Sequence, residues 1–293
     1  MERLVVVGNC QASALEIMLR TNAYFTSHFE LVSFPPVHEI PEAMIPDLHE
    51  AVSHAAIVIP QRVDDAYRGG IGLGTKTLMA LARSATVVRW PSVYWAGYFP
   101  DLFYLRDAEG RPIVDCAFDY HDRTILEGYA AGLDAKEVCS RLEDPDRPSR
   151  AKAWAEQATA ELSIRGEDCD VQIASFIASR FQHELLFFSM NHPSNVLLGK
   201  IATDIMELLG IPGGVDHGQV PDEILGGTFF PLHANDARAL HLEFAADFVA
   251  GHTPFRFRWT EHEPREAVQM FFDYYSAHPD LVAINLGCQD ARV

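Results

Sequence analysis

Over the first 90 residues, apolar runs of strand length alternate with helix-length amphipathic stretches. Residues 4–7, 29–34, 55–60 and 86–89 read as strands, and residues 12–20, 45–54 and 75–84 as the helices between them. Such alternation requires crossover connections, and so predicts a mainly parallel sheet with helices on both faces. The run Leu4-Val5-Val6-Val7 is apolar at every position, as expected of a strand covered on both sides. In open sheets of this kind ligands collect beyond the carboxyl ends of the strands. Two segments follow such ends: Gly8-Asn9-Cys10-Gln11 after the first strand and Gln61-Arg62-Val63-Asp64-Asp65 after the third.

From residue 117 to 182 the pattern changes to successive helices, at 123–132, 135–143, 149–164 and 170–181, with Pro145 and Pro148 around a polar turn. This segment reads as a helical cap inserted between an α/β core at residues 1–116 and a return to the core at 183–293, one domain overall. The return opens on a strand at 185–189 that is expected to rejoin the sheet. It is followed by Met190-Asn191-His192-Pro193-Ser194-Asn195 and a helix at 196–209, capped by Ser194 or Asn195 and stopped by Gly210 and Pro212. Helical patterns at 235–250 and 264–277 close the chain.

Composition narrows the function. The net charge of −18 argues against a nucleic-acid or acidic-membrane surface, which works by concentrating Lys and Arg. An anionic ligand would need a local basic pocket. No apolar stretch approaches the ~20 residues of a membrane span and no leader pattern opens the chain, so a cytoplasmic protein without an integral membrane segment is expected. Cys10, Cys116, Cys139, Cys169 and Cys288 lie far apart with no Cys-x-x-Cys pair, which fits reduced thiols. His217, His233 and His241 show no tight ligand spacing with carboxylates, so no metal is expected.

Cys10 stands at a strand-to-helix turn, where helix-terminal amides and the helix dipole favour a thiolate and Gly8 permits a sharp bend. The alternative is a small buried hydrophobe at a sheet end. His192 also follows a strand, and an imidazole that accepts a thiol proton can return it to a leaving group. Alternatively, it buttresses a turn. Ser189, Asn191 and Asn195 are all candidates to orient it. The amides after Cys10 would meet an oxyanion, helped by the Asn9 side chain or by Gln61. The run Gly69-Gly70-Ile71-Gly72-Leu73-Gly74-Thr75-Lys76-Thr77 departs from a phosphate loop because Thr75 separates Gly74 from Lys76. It reads either as a looser phosphate cradle or as a glycine turn.

Several of these motifs together resemble the WcbI-type capsular polysaccharide biosynthesis proteins, over about residues 1–215. They are Gly8-Asn9-Cys10-Gln11, Pro60-Gln61 with Asp65, Tyr67 and Arg68, Tyr94-Trp95-Ala96-Gly97-Tyr98-Phe99-Pro100-Asp101, and Asn191-His192-Pro193. The resemblance implies an SGNH- or flavodoxin-like α/β core with a large helical cap. It also implies an acetyltransferase that binds coenzyme A or acetyl-CoA and acetylates a sugar or polysaccharide, with capsule-assembly proteins as partners. In that comparison Cys10 stands where SGNH hydrolases place serine, Asn9 replaces the preceding aspartate, and His192 matches the late base. Ser189 stands where those hydrolases carry an aspartate, so a Cys–His dyad is expected instead of a triad. Gln11, Arg62, Arg68 and Lys76 become candidates for the cofactor, with Tyr94 or Tyr98 stacking on adenine. An esterase or thioesterase on the same site and a non-catalytic coenzyme A-binding scaffold are the alternative readings.

Overall fold

The computed structural model describes residues 1–113, 118, 120–251 and 253–287. Cys116, Cys288 and the expected boundary at 116/117 lie outside these residues. In chain order the first elements are β1 (Glu2–Val7), α1 (Cys10–Arg20), α2 (Ala23–His28), β2 (Phe29–Val32), α3 (Ile45–His54), β3 (Ile57–Pro60), α4 (Thr75–Leu81) and β4 (Thr86–Val87). The strands form one parallel sheet in the order β2-β1-β3-β4, with Val7 beside Pro60 at the carboxyl end of the central pair. Chain direction therefore reverses its winding between β1 and β3, the switch point of a flavodoxin-like doubly wound sheet.

Leu4, Val5, Val6 and Val7 are all buried, as the unbroken apolar run requires. Val5, Val7 and Val58 pack with Leu48, Val52 and Leu78 of α3 and α4, and each such side chain fully buried is worth about 1.5–3 kcal/mol. Beyond β4 a further parallel bridge joins Gln61 to Trp90, so pairing extends one residue past the end of the expected strand. The helix α2 precedes β2, over residues for which no element was expected. Asn22 starts it by accepting a bond from the Phe25 amide at 2.8 Å.

The chain continues through β5 (Leu102–Phe103), β6 (His121–Asp122), α5 (Arg123–Ala130), α6 (Ala135–Glu143), α7 (Ala151–Gly166), α8 (Ala174–Arg180), β7 (Phe187–Ser189), β8 (His192–Pro193), α9 (Asn195–Leu208), α10 (Ala234–Leu240), β9 (Phe255–Phe257), β10 (Thr260–His262), α11 (Pro264–Ala277) and α12 (Pro279–Gly287). Two compact units emerge. The first comprises Met1–Tyr94, Thr159–Ser179 and Pro193–Leu225, and the second Trp95–Ala158, Arg180–His192 and Gly226–Val293. In the first, α1 packs on α9; in the second, α11 packs on α5 and α6.

Two expectations are corrected. The strand at 187–189 does not rejoin the four-stranded sheet, because it turns at once and pairs with β8. The helix expected at 235–250 ends at Leu240, where His241 adopts the left-handed conformation (φ 55°) that closes it. Among the described residues no helix is long and apolar enough to cross a membrane.

Candidate functional site

The turn after β1 is held by reciprocal amide bonds. Asn9 is the N-cap of α1: its Oδ1 accepts from the Gln11 amide at 2.9 Å and its carbonyl accepts from the Ala12 amide at 2.9 Å. This makes Cys10 the first residue of the helix, half-buried, at the carboxyl end of β1. The Asn9 amide in turn donates to Gln61 Oε1 (3.0 Å), and Gln61 Nε2 donates to Gln11 Oε1 (2.8 Å). Gln11 Nε2 donates to the Val93 carbonyl (2.7 Å), and the Val93 amide donates back to Gln11 Oε1 (3.0 Å). Gln11 and Gln61 are both fully buried. Their side chains are thus occupied in clamping the carboxyl ends of β1 and β3, and the Gln11 amide expected to meet an oxyanion is already bonded to Asn9. Gly8 closes the arrangement: a Cβ there would lie 2.7 Å from both Cβ and Oε1 of Gln61.

Arg62, next to Gln61, leads into a cavity of about 560 Å³ in the first unit. Its walls carry four cationic side chains, Arg62, Lys76, Arg89 and Arg165, against Asp64, Asp65 and Asp168. In a chain of net charge −18 this is a local reversal of sign. Arg165 is the fixed member: it donates to the Tyr94 carbonyl at 2.7 Å and lies 5.6 Å above the Tyr94 ring, and burial lowers its pKa. Arg62 donates to the Arg165 carbonyl at 3.3 Å, while Arg89 forms a two-pronged pair with Asp170. Lys76 is exposed, with no ion pair among the described residues.

Arg68 is placed differently from its expected role. Its guanidinium donates to the carbonyls of Val37 and Ile40, outside the cavity wall. The glycine run is a turn in which Gly69, Gly70 and Gly72 take positive φ. Its helix start is already filled by a carboxylate, since Asp65 Oδ1 accepts from the Thr77 amide at 3.1 Å and from its hydroxyl at 3.3 Å. That is where the looser cradle would have held a phosphate.

His192 lies in the second unit, half-buried in β8. Tyr120, which no sequence signal selected, stands edge-on to its ring with Oη 3.4 Å from Nε2. The Tyr120 hydroxyl donates to Asn191 Oδ1, and Asn191 Nδ2 donates to Tyr104 Oη at 3.3 Å. Of the three candidates to orient the imidazole, Asn191 therefore acts through Tyr120. Asn195 instead binds the Pro221 carbonyl and the Ile224 amide, and Ser189 is buried. Ser194 occupies the N-cap position of α9 without a side-chain cap bond.

Tyr98 is enclosed in the second unit. Its ring packs on Trp95, Phe99, Phe181 and Phe244, and its hydroxyl donates to the carbonyls of Phe181 and Glu184. Burial raises its pKa, and no face is left for a stacking base. Tyr94, half-buried, is taken by Arg165. Among the described cysteines, Cys139 and Cys169 are buried and burial raises both thiol pKa values; Cys10 alone is half-buried. A low-pKa, accessible sulfur is what thiol chemistry requires, and Cys139 and Cys169 do not offer it.

The sequence profile of one protein family, Polysaccharide biosynthesis enzyme WcbI, matches residues 3–214. A solved structure of a WcbI polysaccharide biosynthesis enzyme superposes with a TM-score of 0.72 at 20% identity, covering 97% of each chain. It is described as the native protein without a disulfide bond between coenzyme A and one of its cysteines. No curated protein matches the chain.

Proposed function

The chain belongs to the polysaccharide biosynthesis enzyme WcbI family, and we propose that it is a coenzyme A-dependent acetyltransferase acting on a sugar hydroxyl of a capsular or surface polysaccharide. One observation carries the reading: a half-buried thiol at a helix start and a net-positive cavity wall follow the two central strands of the sheet, where doubly wound folds bind ligands. The coenzyme A and cysteine named for the similar structure support this cofactor. The cavity falls within the range of roughly 300–1,000 Å³ usual for small-molecule sites, and Arg62, Lys76 and Arg165 would hold the phosphates.

Acetyl-CoA supplies an acetyl thioester. The Cys10 thiolate, favoured by the start of α1, attacks the thioester carbonyl. The acyl–sulfur bond breaks, and the departing thiolate takes up a proton from solvent. A sugar hydroxyl then gives up its proton to a general base as its oxygen attacks acetyl-Cys10, and Cys10 is released as the thiolate. This is ping-pong chemistry.

Intact-mass measurement after mixing with acetyl-CoA tests the route. Wild-type protein gains one acetyl group, and Cys10→Ala gains none. Transfer to a sugar acceptor at the wild-type rate by Cys10→Ala would overturn the covalent step. Acetate released without any acceptor would make the protein a thioesterase. Coenzyme A at ~100 times Kd stabilises its binder by about 2.7 kcal/mol, so an unmoved melting curve would remove the cofactor from the reading.

A further inference from the structure

The second unit buries a histidine among carboxylates. His233, the residue before α10, is 7% exposed. Its Nε2 bonds to Asp122 Oδ2 at 2.8 Å. Its Nδ1 has no hydrogen-bond partner among the described residues, and the residue lines a pocket of about 10 Å³. That is about the room one water or one ion occupies. Asp101 Oδ2 and Asp236 Oδ2 each lie 3.7 Å from Nδ1, and the three atoms fall within 4.8 Å of one another. The remaining oxygens are held from outside: Ser149 Oγ donates to Asp236 Oδ1 (2.6 Å) and Arg150 Nη2 to Asp101 Oδ1 (3.0 Å). Thr124 Oγ1 also reaches Asp101 Oδ2, at 3.3 Å.

We propose that Asp101, His233 and Asp236 form a site for a divalent cation of the zinc or manganese class, with water completing its coordination. One imidazole nitrogen and two carboxylate oxygens suit such ions. Asp122 supplies the carboxylate that orients a metal-bound histidine through its other ring nitrogen. Tetrahedral bonds of about 2.0–2.1 Å set ligand atoms roughly 3.3–3.4 Å apart, a few tenths of an ångström inside the two 3.7 Å distances from Nδ1 to the carboxylates. Charge argues the same way. Three buried or half-buried carboxylates face one guanidinium, Arg150, and a divalent ion balances the remainder. Without an ion, a proton on His233 supplies one of those two charges. Burial alone would lower its pKa, but Asp122, Asp101 and Asp236 outweigh burial and raise it to about 9. The site would tie the residues before α5, α7 and α10 together.

The test uses the full chain, stripped with a chelator, loaded with Zn²⁺ or Mn²⁺, freed of excess by gel filtration and measured by elemental analysis. One ion per chain is expected for wild type and for Cys10→Ser, and loss of that ion in Asp236→Asn and in the less buried Asp101→Asn. Saturation at ~100 times Kd is expected to raise Tm by about 5–10 °C. Failure of both metals to be retained or to move Tm overturns the site, as does wild-type stoichiometry in a folded Asp101→Asn variant.

Discussion

Replacing Gln61 with methionine isolates the clamp that presents Cys10. Methionine keeps the length and most of the volume of glutamine but has no amide. Two short hydrogen bonds disappear, Asn9 N–H to Oε1 at 3.0 Å and Nε2 to Gln11 Oε1 at 2.8 Å, together with a longer one from Nε2 to the Pro91 carbonyl at 3.5 Å. Gln11 Oε1 keeps the Val93 amide as a donor, whereas the Asn9 N–H loses this acceptor. Two bonds at about 0.5–1.5 kcal/mol each, plus about 1 kcal/mol or more for the stranded donor, give a loss of about 2–4 kcal/mol. In a chain of this size that lowers Tm by about 4–16 °C. Acetylation of Cys10, followed by intact mass below the new transition, is expected to slow by about tenfold or more as the turn loosens. A Gln61→Met variant that melts with wild type and is acetylated at the wild-type rate would refute the clamp.

Gly8→Ala forces a methyl against Gln61 Cβ and Ala12 Cβ, at 2.7 and 3.0 Å; it is expected to cost about 1–3 kcal/mol in chemical denaturation and to abolish acetyl loading. Arg62→Ala is expected to weaken coenzyme A binding about tenfold in calorimetry, equivalent to about 1.4 kcal/mol, while Arg68→Ala, outside the cavity wall, leaves the affinity unchanged. His121 gives the second unit an acid limb. Burial lowers its pKa to about 3, so its neutral form contributes stability that is complete above the unfolded value near 6.5 and is lost as pH falls from there toward 3. Because His121 Nδ1 is hydrogen-bonded to the Tyr275 hydroxyl, the double variant His121→Phe/Tyr275→Phe removes both partners, and its unfolding free energy is expected to vary less between pH 6.5 and 3 than that of wild type.

Local pattern was enough for the sheet and for the thiol turn. The alternation of strand and helix over the first 90 residues fixes a parallel sheet because period and length are properties of short segments. The same holds for α3 and α11, whose observed limits match the periodic stretches. Residue type and turn position alone singled out Cys10. Side-chain commitments were not legible, because a polar residue near a strand end has the same sequence signature whether it faces a ligand or the protein. Gln11 and Gln61 turn inward to clamp two strands, Arg68 secures a loop, Tyr98 fills a core, and Asp65 fills the helix start that one of the two readings of the glycine run left to a phosphate. Arg165 and Tyr120 had no local signal, since each gains its position from residues about 70 away in the chain. Asp101, His233 and Asp236 show this most plainly: His233 and Asp236 are three residues apart, but Asp101 joins them only through the fold. Local sequence was sufficient for the strands of the sheet and for a cysteine at a helix start. Tertiary packing alone decided which polar groups converge on a cavity, because convergence depends on which distant segments share a wall.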